Sequence, residues 1–110
     1  MSKTEQLEAL LAAGKNSATL RFALASAYSA SGNVALALEH GCAAVELDSD
    51  YSAAWRLLGK LYAEAGEPDK AMQSYRRGIE AAARRGDKQA EKEMTVFLRR
   101  LERLSSGPRA

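Results

Sequence analysis

The chain has 110 residues and a mass of 11.9 kDa, a size that fits one domain. Its shares of hydrophobic residues, 46%, and charged residues, 27%, are ordinary for a globular protein and argue against a disordered chain. The one cysteine, Cys42, and the one histidine, His40, exclude an internal disulfide and a zinc site built from several such ligands. No apolar run approaches the ~20 residues that cross a bilayer.

The net charge of +2 is divided unevenly along the chain. Residues 1–55 carry three bases and six acids, a net charge of −3, whereas residues 56–110 carry thirteen bases and eight acids, a net charge of +5. Such an asymmetry indicates either an anionic partner or the solvated faces of helices. The N-terminal segment has acids within its apolar stretch, so it predicts an amphipathic helix and not a signal peptide, and we expect a cytoplasmic protein.

Apolar residues recur at helical spacing in six segments, separated by residues that begin and end helices. In chain order, the predicted helices cover about residues 2–13, 17–31, 34–47, 51–65, 68–85 and 88–104. Four segments are followed by a glycine, which suits the position after a helix: Gly14, Gly32, Gly66 and Gly86. Five segments are preceded by a residue that caps helix starts: Ser2, Asn16 or Ser17, Asn33, Asp50 and Asp87. Pro68 suits the first turn of the fifth helix.

Two stretches of the chain are similar at a spacing of 34 residues. Six pairs of small or apolar residues recur in register: Leu24 and Leu58, Ala25 and Gly59, Tyr28 and Tyr62, Gly32 and Gly66, Ala37 and Ala71, and Ala44 and Gly78. The spacing continues backwards, because Leu7 and Leu10 lie 34 residues before Gly41 and Ala44. The first helix is therefore predicted to be the second half of an earlier repeat.

The second unit has the residue pattern of a known helical repeat. Its first helix matches W-x-x-L-G-x-x-Y with Trp55, Leu58, Gly59 and Tyr62. Its second helix has small, bulky and small residues at Ala71, Tyr75 and Gly78. The unit resembles the tetratricopeptide repeat. The first unit departs from the pattern, with Arg21 where Trp55 stands and Gly41 where Tyr75 stands.

The resemblance implies an all-α fold, a right-handed superhelix of antiparallel helix pairs with about six helices. It divides a single domain, residues 1–104, into a half-repeat helix, two repeats and a capping helix: 1–16, 18–51, 52–85 and 87–104. The capping helix has an apolar stripe for its inner face: Ala90, Met94, Phe97, Leu98, Leu101 and Leu104. A frayed tail is predicted at residues 105–110.

Nothing in the sequence predicts catalysis. His40 and Cys42 lie two residues apart on one predicted helix and so face different directions. We expect His40 at the surface or at its boundary, and Cys42 as a small buried apolar residue. The resemblance implies a non-enzymatic protein–protein interaction module, a scaffold without a metal or cofactor.

Proteins with this repeat bind an extended peptide or a partner's helix in a concave groove lined by the first helix of each pair. The residues expected to face such a groove here are Thr19, Phe22, Ser26, Ser29, Ala53, Arg56, Lys60, Ala63, Lys92, Val96 and Arg99. This set is small and polar at one end and basic at the other, which predicts an acidic segment as the ligand. Some relatives hold a peptide's terminal carboxylate with lysines, an arginine and asparagines. Arg56 and Lys60 alone fit that set, so a looser basic groove is favoured.

Two other functions compete with peptide binding. Repeat arrays usually need three or more units, so a second copy of the chain is a candidate for the missing neighbour, which would give a self-assembling scaffold. The basic second half is an alternative surface for nucleic acid, with these candidates: Arg76, Arg77, Arg84, Arg85, Lys88, Arg99, Arg100 and Arg103. Interleaved acids and the lack of free aromatic residues make nucleic acid the least favoured partner.

Overall fold

The computed structural model describes residues 1–106, and that range holds six α-helices and no strand. The helices are α1 (Lys3–Ala12), α2 (Ala18–Ala30), α3 (Val34–Leu47), α4 (Ser52–Glu64), α5 (Pro68–Arg85) and α6 (Lys88–Ser105). Each begins and ends within one residue of its predicted bounds, and the predicted all-α fold is confirmed. Of the predicted frayed tail, Ser105 ends α6, Ser106 lies in a turn, and residues 107–110 are outside the described range.

The helix ends follow local side-chain chemistry. Ser2 and Glu5 form the reciprocal capping box, and the side chains of Ser17, Asn33 and Asp87 each accept a backbone N–H three residues ahead at 3.1 Å. The four glycines predicted to follow helices have φ between 71° and 87°, a region where only glycine is unstrained.

One predicted cap is wrong. The N-cap of α4 is Tyr51, which makes no side-chain capping bond, and not Asp50. The Asp48 carboxylate accepts the Asp50 backbone N–H at 3.0 Å, while the Asp50 carboxylate binds Arg84 on α5. Asp50 therefore forms a contact with α5 and does not cap α4, and the residues next to it in the sequence could not indicate this.

The helices form two layers of antiparallel pairs. α2 pairs with α3 and α4 with α5, while α1 packs on α2 and α6 packs on α5. α2, α4 and α6 lie side by side in one layer. α1, α3 and α5 form the other layer. The arrangement is the predicted right-handed superhelix. None of the helices in residues 1–106 has both the length and the apolar character needed to span a membrane.

Two apolar clusters join neighbouring pairs. One connects α3 to α4 through Ala44, Val45, Ala54 and Leu58, and the other connects α5 to α6 through Tyr75, Ala82 and Met94. Small residues allow this packing, because a Cβ atom on Gly59 would lie 2.6 Å from the ring of Tyr75. α4 and α5 therefore approach each other closely at Gly59.

The predicted inner stripe of α6 is confirmed except at its end. Phe97, Leu98 and Leu101 pack against the second cluster, but Leu104 is 74% exposed. The final turn of α6 therefore leaves this side chain without a covering neighbour among the described residues.

His40 is buried and not at the surface, with 4% of its area exposed. Its ring stacks on Tyr28 with centroids 5.6 Å apart, and its Nδ1 lies 2.9 Å from Nη1 of Arg21. Because a guanidinium can only donate, Nδ1 is the acceptor in this pair. Arg21 stands where the second repeat has Trp55, so burying it requires a polar partner. His40 supplies that partner, which explains why the expectation from the sequence was wrong.

Candidate functional site

A pocket of about 510 Å³ opens on the layer formed by α2, α4 and α6. It is lined by Phe22, Ala53, Arg56, Leu57, Lys60, Tyr75 and Phe97. We call this set the concave pocket. Four of its residues lie on α4 at positions i, i+3, i+4 and i+7, so that one face of α4 forms the floor.

Aromatic rings form the walls of the concave pocket. Phe22 packs on Tyr51 with centroids 5.1 Å apart, and Tyr75 packs on Phe97 at 5.6 Å. Both pairs are tilted, a favourable geometry for aromatic rings. Burial raises the pKa of the Tyr75 hydroxyl, so this side chain is neutral at physiological pH. The walls are therefore apolar and fixed by packing.

Arg56 and Lys60 place two cations at the rim of the concave pocket. They lie four residues apart on α4 and both are exposed. Arg56 forms one ion pair with Glu93 of α6 at 3.6 Å, in which both side chains remain well solvated. Such an exposed pair contributes little energy, so a carboxylate on a ligand can compete with Glu93 for the guanidinium.

The structure brings together four of the eleven residues predicted to face the groove. Phe22, Ala53, Arg56 and Lys60 line the concave pocket. Six others lie outside its lining: Thr19, Ser26, Ser29, Ala63, Lys92 and Val96. Arg99 lies in a different, shallow depression with Glu102, Arg103 and Ser106.

Sequence reasoning missed four residues at this site. Leu57, Tyr75 and Phe97 line the concave pocket, and Glu93 contacts its rim. The spacing of Leu57 from Ala53 and Lys60 is a signal that could have found it. Tyr75 and Phe97 were assigned to the core, whereas each is part of both the core and the pocket wall. α6 presents Glu93 and Phe97 to the pocket, so Lys92 and Arg99 face elsewhere.

Cys42 is half-buried and not a fully buried apolar residue. Its Sγ lies 3.4 Å from the hydroxyl of Tyr62. This hydrogen bond and the burial of the ring raise the pKa of Tyr62 to about 12. Within the described range, no group of three or more His, Cys, Asp and Glu side chains converges as metal ligands would.

Three of the seven arginines considered for nucleic acid pair with carboxylates. Arg76 pairs with Glu102 at 3.4 Å and Arg85 with Asp48 at 3.3 Å, while Arg84 bonds to Asp50 with Nε 2.7 Å from the oxygen. Arg77 lies 5.0 Å above the ring of Trp55. These pairs reduce the free positive charge that phosphate binding would use.

Comparison with known proteins gives consistent relatives. The family model described as "Tetratricopeptide repeat" matches residues 52–85. The TPR repeat-containing protein PA0015 of Pseudomonas aeruginosa is 50% identical over 99 residues, covering 90% of this chain and 94% of that protein. The solution structure of protein BPP2914 from Bordetella parapertussis has a TM-score of 0.81 at 42% identity, over 96% of this chain and 92% of the other.

A tetratricopeptide repeat domain protein from Salinibacter ruber superposes with a TM-score of 0.76 at 30% identity, over 84% of this chain and 94% of the other. Identities of 42% and 50% over nearly the whole length of both chains indicate membership of one family, and not only a similar arrangement of helices. The chain therefore belongs to the tetratricopeptide repeat family, whose domains are in general non-enzymatic modules of protein–protein interaction.

Proposed function

We propose that the protein binds a peptide or a partner's helix in the concave pocket, and that the bound segment combines an apolar side chain with flanking acids. The observation that carries this proposal is the joint placement of Arg56 and Lys60 at the rim of an aromatic pocket of about 510 Å³. A cytoplasmic location is part of the proposal, and the unpaired Cys42 supports it.

The apolar walls and the charged rim have different roles. Phe22, Leu57 and Phe97 offer a surface on which a leucine or aromatic side chain would lose contact with water, which is the larger source of affinity. The exposed cations attract acidic segments and reject basic ones, so they mainly set the association rate and the choice of partner.

The test is a selection from a random peptide display library on the wild-type protein. We expect the selected peptides to carry Asp or Glu next to a leucine or an aromatic residue. One such peptide, labelled and titrated by fluorescence anisotropy, should lose at least about tenfold in affinity to the Arg56→Glu/Lys60→Glu variant, equivalent to ~1.4 kcal/mol. Its binding to the wild type should weaken as salt is added.

The matched control is Arg99→Glu/Arg103→Glu, which makes the same change in net charge outside the concave pocket. We expect this control to bind the peptide within about twofold of the wild type, because screened charges at a distance contribute little. Circular dichroism checks that both double variants stay folded. If the two variants lose affinity equally, or if selection gives no saturable peptide, the proposal is wrong.

A further inference from the structure

Two grooves flank α3 on the layer opposite the concave pocket. The first groove lies between α1 and α3, has a volume of about 500 Å³, and includes Glu8, Glu39 and Glu46. The second groove lies between α3 and α5, has a volume of about 350 Å³, and includes Lys70 and Arg77. We call α3 together with these two grooves the α3 face.

The two grooves are the same structural position in successive repeats. Their linings correspond at the 34-residue period: Leu11 and Val45, Arg21 and Trp55, Leu36 and Lys70, Glu39 and Gln73, His40 and Ser74, and Ala43 and Arg77. Equivalent positions give the grooves a related shape, but the substitutions give them opposite charge. The first groove is net acidic, with Glu8, Glu39 and Glu46 against Arg21, whereas Lys70 and Arg77 of α5 outnumber Glu46 in the second groove.

These charges are largely available to a partner. Within residues 1–106, Glu39, Glu46 and Arg77 form no ion pair, and Lys70 pairs with Glu67 at the start of its own helix. Aromatic rings of α4 hold the two cations over the second groove. Lys70 lies 5.8 Å above the ring of Tyr62, and Arg77 lies 5.0 Å above that of Trp55.

We propose that the α3 face is the contact surface of a symmetric dimer with a second copy of this chain. A twofold axis that runs along α3 places the acidic first groove of each copy over the basic second groove of the other, so the contact is made twice. The 34-residue period also indicates which residues of the two copies lie at the same height along this axis. Glu39 is equivalent to Gln73, so it meets the other copy between Lys70 and Arg77.

Short side chains on α3 reduce the bulk between the grooves. Cys42 lines both grooves, Ala43 lines the first, and Glu46, which also lines both, is the longer side chain at this point. The partly buried rings of Trp55 and Tyr62 provide apolar area in the second groove, and the opposed charges select the partner and its orientation. The dimer is expected to be weak and sensitive to salt, because most of its charges are exposed.

The test is a charge-exchange experiment followed by sedimentation equilibrium at low salt. Wild type is expected to dimerise between micromolar and millimolar concentration. Glu39→Lys places a cation against Lys70 and Arg77 of the other copy, and Lys70→Glu/Arg77→Glu places two anions against Glu39, so each variant alone should raise the dimer dissociation constant at least about tenfold. An equimolar mixture of the two should restore dimers, because both contacts of the heterodimer then pair opposite charges.

All three substituted side chains are exposed, so folding should be retained, and circular dichroism checks it. Glu39→Gln, which removes the charge without reversing it, should weaken the dimer less than Glu39→Lys. Arg99→Glu/Arg103→Glu should leave the dissociation constant unchanged. A wild type that stays monomeric at millimolar concentration, a dimer that both variants leave intact, or a mixture that stays monomeric would each overturn the proposal.

The proposed dimer and the proposed peptide binding in the concave pocket can be tested separately. Arg56→Glu/Lys60→Glu changes the other layer of the protein, so it should abolish peptide binding and leave dimerisation as it is. The charge-exchange variants of the α3 face should bind the selected peptide as the wild type does. If the pocket variant alone changes the oligomeric state, the interface lies at the pocket and the α3 face is not used.

Discussion

Glycine at three positions of the repeat acts by the absence of a side chain. A Cβ atom on Gly41 would meet Cδ2 of Leu58 at 2.8 Å, and one on Gly78 would meet the side chains of Met94 and Trp55. At Gly59 the obstacle is the ring of Tyr75, with three ring carbons between 2.6 and 2.8 Å. A ring held between α4 and α6 cannot bend away, whereas the end of a leucine or methionine side chain can rotate.

We expect Gly59→Ala to destabilise the protein by about 1–3 kcal/mol, the usual cost of overpacking a core. The gain of about 0.5–1 kcal/mol from replacing a helical glycine by alanine is too small to offset that cost. Gly41→Ala is the comparison, because it meets a flexible side chain and should change stability less. Urea denaturation followed by circular dichroism measures both. A Gly59→Ala protein more stable than the wild type would contradict this account.

The sequence predicts such glycines well and predicts polar contacts poorly. Gly59 and Tyr75 both belong to a residue pattern that can be recognised along the chain. The burial of His40 depends on Arg21, which lies nineteen residues away in the neighbouring helix. No local pattern links these two residues, because their contact is set by how α2 and α3 are rotated against each other.

α1 is the most weakly attached helix. It has no buried residue, and Leu10 is 47% exposed, although the equivalent Ala44 and Gly78 are buried in complete pairs. Its polar connection to α2 is the hydrogen bond that the Tyr28 hydroxyl donates to Glu8 at 2.6 Å. That bond is the main reason that the pKa of Tyr28 is raised.

We expect the amides of α1 to exchange with solvent faster than those of α4 and α5, because a helix with little buried apolar area opens locally. Tyr28→Phe keeps the ring against His40 and removes the bond to Glu8. It should therefore speed exchange in α1 without changing exchange in α5. Hydrogen exchange followed by NMR gives both rates. Protection in α1 equal to that in α4 would show that another contact holds the helix.

Helix positions were predictable to one residue, while the side of α6 that meets the concave pocket was not. Caps and glycines act within four residues of a helix end, so they can be found in sequence. Which side of α6 meets the concave pocket depends on its rotation against α5, and this places Phe97 and Glu93 at the pocket in place of Lys92 and Arg99. The first and last helices of a stack have fewer neighbours, so fewer repeated positions define them.

At the scale of the whole molecule, Trp55 lies beside both clusters. Trp55 packs against the cluster between α3 and α4, and its Cβ lies 3.0 Å from where a Cβ on Gly78 would be, beside Met94. Its Nε1 donates to the carbonyl of Ser49 at 2.9 Å, which fixes the turn between the repeats. The stability of a stacked array comes largely from such contacts between neighbours.

We expect Trp55→Ala to lower the free energy of unfolding by ~3 kcal/mol, the lower end of the range for Trp→Ala because the ring is half-buried. Small domains have roughly 5–15 kcal/mol in total, so the variant should unfold at a much lower urea concentration. Since Trp55 lies beside both clusters, NMR signals from α2 and α6 should both report a lowered midpoint. Trp55→Phe is the matched control, because it keeps an aromatic ring but removes the bond to Ser49, and it should cost about 1 kcal/mol. If α2 or α6 keeps the wild-type midpoint in Trp55→Ala, Trp55 does not stabilise both clusters.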